Sequence, residues 1–144
     1  MNLLYAILAF AGPGLFGFLM GRATGFLSPA EGALLILVPS GLAWILWGPL
    51  CMAVNRWSFR VTTEICLKTM AAGSLWLALA SAGFVLGGQG SWALFSLFCA
   101  HGLMWALFVR LGKTQGKSTL RLSLLWIFGL DGGAALVGGI IPCL

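Results

Sequence analysis

From Thr69 to Val109 no side chain carries a formal charge, a run of 41 residues. At ~1.5 Å per residue one helix of that length would be roughly twice the ~30 Å thickness of a bilayer's hydrocarbon. The run therefore has to turn back on itself. Gly87-Gly88-Gln89-Gly90-Ser91 is the place for the turn, with Ser91 capping the next helix. The same poverty of charge holds along the chain: of 144 residues, 60% are hydrophobic and 8% charged. That leaves too little polar surface for a water-exposed globule, and charge-free runs of this length read as membrane spans.

The expectation is an all-α integral membrane protein, one domain over 1–144, with five transmembrane helices at about 3–21, 28–54, 65–86, 92–109 and 122–141. The first run lacks the basic leading region of a secretory signal and is kept as a helix of the mature protein. The second opens on a start signal, Ser28-Pro29-Ala30-Glu31, with serine at the N-cap, proline at the first helical position and glutamate at the third. Basic residues set the threading. Arg56, Arg60 and Lys68, the last just inside the third run, join the second run to the third, and Arg110, Lys113, Lys117 and Arg121 join the fourth to the fifth; Arg22 alone lies on the other side. Cationic loops stay in the cytoplasm. The N-terminus is then inside, the C-terminus outside, and the location the cytoplasmic (inner) membrane, crossed several times. A re-entrant last segment, suggested by Asp131 with Gly132, Gly133, Gly138 and Gly139, is the competing threading.

Polar groups at mid-membrane are costly and rarely idle. Residues equidistant from a tight turn lie level in an antiparallel hairpin, which places Asp131 beside His101, the chain's single histidine. The same construction levels Pro13 with Pro39. Proline removes a backbone donor and clashes with the preceding turn, so helices 1 and 2 are expected to be interrupted there, with Pro13, Pro39 and Ser40 opening a cavity and Ser74 joining the layer. Asp131 and His101 form either an internal polar tie or a proton or ion site.

Gly17 and Gly21, and again Gly129 and Gly133, repeat every fourth residue, a pattern that lets helix backbones approach closely. Whether the neighbour is the same chain, a copy or another protein is open at this level. Arg110, Lys113, Lys117 and Arg121 suit contact with anionic lipid headgroups. Gly41-Leu42-Ala43-Trp44-Ile45-Leu46-Trp47 matches Gly102-Leu103-Met104-Trp105-Ala106-Leu107-Phe108, and the same shift of 61 residues lays the first run over the third. The tryptophans lean to one half of the chain's expected depth, as anchors or as an aromatic pocket.

Several function classes fall away. Cys51, Cys66, Cys99 and Cys143 show neither CxxC spacing nor a metal grouping and read as small buried residues. Gly112-Lys113-Thr114-Gln115-Gly116-Lys117-Ser118 has its first glycine one residue too close for a phosphate loop, and no βαβ unit surrounds it. No catalytic residues, cofactor, metal, nucleotide or nucleic acid are expected, and the chain reads as non-enzymatic. The expected role is a non-catalytic subunit or oligomeric building block of a larger complex, with the lipid bilayer and another membrane protein or copies of itself as partners. The alternative is a small-solute or ion transporter with Asp131 as its protonation site; an intramembrane lipid enzyme stands third.

Overall fold

The computed structural model describes residues 2–25, 28–87, 90–133 and 135. Four long helices follow one another: α1 Asn2–Thr24, α2 Pro29–Asn55, α3 Phe59–Gly87 and α4 Gly90–Thr114. A short α5, Thr119–Leu124, runs directly into a π-helix over Leu125–Asp131. The described residues contain no strand.

Serines start three of these helices. At α2 the capping box forms as its letters imply: the Ser28 amide donates to Glu31 Oε2 at 2.7 Å, and the Glu31 amide to Ser28 Oγ at 3.3 Å. Ser58 takes the Val61 amide at 3.4 Å, and Ser118 takes the Arg121 amide at 3.3 Å. The end of α4 is a Schellman turn. Gly116 sits at φ +73° and donates to the Lys113 carbonyl, while Lys117 donates to that of Gly112. The Gly-Lys-rich stretch is thus a helix stop. At the end of α2 the same left-handed position is held by Arg56, at φ 54°, where a side chain is costly.

The chain divides into two compact units, Met1–Leu37 with Leu67–Met104, and Val38–Cys66 with Trp105–Leu144. In the first, Phe16, Leu77 and Ala100 form the buried apolar cluster. In the second, Trp47, Phe108, Trp126 and Leu122 are almost wholly buried.

Two expectations are corrected. Among the described residues no helix is long and apolar enough to cross a membrane. A span needs about 20 consecutive apolar residues. Arg22 lies in the last turn of α1, α3 carries Arg60, Glu64 and Lys68 in its first half, and α4 ends among Arg110 and Lys113. In the described part of the fifth run, a six-residue α-helix gives way to a π-helix. The five transmembrane helices, the inside-to-outside threading and the multi-pass membrane class built on them do not stand.

The second correction concerns the prolines. Neither interrupts its helix, since α1 passes unbroken through Pro13 and α2 through position 39. For Pro13 the reason is visible. Its missing N–H would have bonded the Ala9 carbonyl, and the Ser74 hydroxyl of α3 donates to that carbonyl instead, at 2.5 Å. The side chains of Pro39, Ser40, Ser91 and Trp92, the turn at 88–89, and Gly138, Gly139 and Cys143 lie outside the described residues.

Candidate functional site

In the first unit the small residues of α1 bring backbones together. A Cβ at Gly17 would overlap the Gly32 carbonyl, one at Gly32 would overlap the Gly17 carbonyl, and one at Gly21 would come within 2.8 Å of the Ser28 carbonyl. The glycine face of α1 is therefore spent on α2 of the same chain. Gly12 lies against the Ser74 backbone in the same way, which is what lets the Ser74 hydroxyl reach Ala9. His101 is an exposed residue of α4 in this unit.

The second unit holds the larger constellation. Trp47 is its hub, 4.6 Å from Phe108, 4.7 Å from Trp44 and 5.3 Å from Trp126 between ring centroids. Trp57 adds an edge contact with Phe108 at 6.1 Å. The edge-to-face pairs Trp44–Trp47 and Trp47–Trp126, at 87° and 86°, suit the ring quadrupoles and add ~0.5–1.5 kcal/mol each to area burial. This is a filled core. Trp105, by contrast, is exposed and donates to Ser123 Oγ at 3.3 Å.

Asp131 ends the π-helix, a half-buried residue of this second unit. It and His101 belong to different units. Gly129 lies within the π-helix because of its neighbours: a Cβ there would meet Leu50 Cδ2 at 2.8 Å and Trp47 Cδ1 at 3.1 Å. The Trp47 indole donates to the Leu125 carbonyl at 3.5 Å, at the start of the altered turn. Gly133 faces open space. The two glycines therefore differ, one accommodating a ring and the other accommodating nothing.

Three features of this unit carry no signature in the letters. Cys51 and Cys66 are both buried, and their hydrogen bond, reinforced by burial, pushes the Cys51 thiol well above the ordinary range. A thiol held protonated is a poor nucleophile and a poor ligand. Asn55 is wholly buried with both amide atoms unpartnered, and the buried Trp57 indole N–H is likewise unpartnered. They flank the left-handed Arg56. Finally, the Arg121 guanidinium donates through Nη2 to the Val54 carbonyl in the last turn of α2. Arg110 and Lys113 are exposed and Lys117 is half-buried.

Among the described residues no group of three or more His, Cys, Asp and Glu could hold a metal ion. Compared with family models, with curated proteins and with solved structures, the chain matches none.

Proposed function

We propose that this chain is a non-catalytic building block of a larger assembly, whose outward apolar side chains are covered by other protein chains, copies of itself included. One observation carries the reading. Large hydrophobic side chains stand outward from every helix, among them Leu3 at 75%, Ile45 at 69%, Phe59 at 73%, Phe98 at 79% and Phe128 at 74% exposed. A lone chain in water rarely leaves so many uncovered. A Cys51 thiol that keeps its proton, and a tryptophan cluster closed on itself, fit a scaffold better than a reaction centre. A location at the cytoplasmic membrane, with lipid covering part of the same surface, belongs to the proposal and requires no helix to cross.

Purification in mild neutral detergent, followed by mass determination, tests it. A defined oligomer or a stoichiometric complex is expected, dissociated by Phe98→Gln or Phe59→Gln while helicity is retained, since exposed substitutions disturb folding by only ~0.5 kcal/mol. A monomer indifferent to both substitutions overturns it.

The π-helix favours a second reading, proton or ion handling at Asp131, because such turns gather at functional sites. Asp131→Asn keeps the size and removes the titratable group. Proton uptake or cation binding by the whole protein that this variant leaves unchanged would end that reading.

A further inference from the structure

A cleft of about 490 Å³ opens in the second unit between the last turns of α2 and the α5–π-helix segment. That volume falls among small-molecule sites, ~300–1,000 Å³. Its two ends differ in chemistry. Ser118 and Arg121 stand at one, and Leu50, Leu124, Leu125 and Phe128 line the rest. From Ser118 to Phe128 the wall extends roughly 15 Å at ~1.5 Å per residue. We propose that this cleft binds a single-chain amphiphile with an anionic head, a long-chain carboxylate, seated with its head on Arg121 and its chain along Leu124, Leu125 and Phe128.

Four observations support this occupant. Arginine is charged at every relevant pH, and its planar fork matches a carboxylate with two parallel hydrogen bonds. One of its donors is engaged by the Val54 carbonyl, which fixes the guanidinium at the cleft and leaves the others for an anion. The chain has three carboxylates, Glu31, Glu64 and Asp131, and none is among the residues lining the cleft. The remaining wall offers an acyl chain aliphatic and aromatic side chains, and Gly129 keeps it open where a larger residue would meet Leu50. A polar or nucleotide-like ligand would find a single cation and an apolar wall; a neutral lipid would leave the arginine unused. The residues that line the cleft all belong to the second unit.

The test measures dodecanoate and dodecanol binding by titration calorimetry, with the whole chain held in a neutral detergent that competes equally in every arm. Dodecanoate should bind at least ~10-fold more tightly than dodecanol. Arg121→Gln should remove that preference, since a hydrogen bond to a charged group contributes ~1.5–3 kcal/mol. Should that variant fail to fold, Leu120→Glu serves. Leu120 lines the cleft yet is 70% exposed, so the added carboxylate leaves the fold intact and repels the head. It should weaken dodecanoate several-fold more than it weakens dodecanol. Equal affinity for the two ligands in the unsubstituted protein overturns the anionic head. Dodecanoate binding that withstands Leu120→Glu, and Arg121→Gln where it folds, overturns the site.

Discussion

Replacing Ser74 with alanine should expose how α1 tolerates a proline in its middle. The Ala9 carbonyl would ordinarily bond the amide four residues on, and Pro13 has none to offer. Ser74 supplies the donor from α3, with Ala9 1% and Ser74 3% exposed, so water cannot replace the hydroxyl without opening the helix contact. A buried acceptor stripped of its partner costs about 1–3 kcal/mol, and Ser74→Ala should destabilise by that amount. Pro13→Ala returns the N–H, and in that background the carbonyl keeps a helical partner when the hydroxyl is removed. The cost of Ser74→Ala should then fall below about 1 kcal/mol, a coupling of about 1–2 kcal/mol. Four proteins suffice: the unsubstituted chain, both single variants and the double variant, each unfolded by denaturant and followed by circular dichroism. Additivity within ~0.3–0.5 kcal/mol would mean the two sites are independent and would refute the compensation.

Local geometry sets three further outcomes. Arg56→Gly should raise stability by up to ~1 kcal/mol, because glycine occupies φ 54° without the side-chain clash; a lower unfolding midpoint would show the arginine is held there for another reason. Asn55→Leu should stabilise by about 1–3 kcal/mol in the same assay, since it removes two buried polar atoms that no protein group satisfies; a loss of stability would mean the amide has a partner the protein does not supply. Glu31 accepts from the Ser28 amide, and the Ser28 hydroxyl contact, with that bond, holds its carboxyl below the usual range. A depressed folded value means the stabilisation is present above the ordinary glutamate range and lost as pH falls through the depressed folded value, so protection of the amides at the start of α2, measured against their intrinsic exchange rates, should fall in acid, and Glu31→Gln should abolish that pH dependence.

What the letters revealed and what they hid divides by distance along the chain. The start of α2 was legible because a capping box is four residues long and closes on itself. The fate of Pro13 was not, because the compensating donor lies 65 positions away and a lone serine looks like any other. The expected level pairing of Asp131 with His101 assumed one rise per residue on both sides of the last turn. The π-helix over Leu125–Asp131 departs from that single rise, and nothing in the letters announces it. Composition alone suggested membrane-crossing helices; among the described residues no helix is long and apolar enough to cross a membrane. The cleft was hidden for a related reason: Arg121 reads as one of four basic residues in a turn until its guanidinium is seen against Val54.

The faint repeat gains meaning from the same contacts. A shift of 61 residues pairs Pro13 with Ser74, and Trp47 with Phe108. In the first unit the residue that lacks a donor and the residue that provides one are equivalent positions, bearing on the same carbonyl. In the second unit the two equivalent aromatic positions touch at 4.6 Å. If a duplicated hairpin underlies the chain, the two copies diverged first where identity is least tolerable. Two prolines facing each other would leave two carbonyls without donors, and two tryptophans would overfill a space that Trp47 and Phe108 occupy with almost no exposure. The mismatches in the repeat then fall at contact points, Ser74 within the first unit and Phe108 within the second.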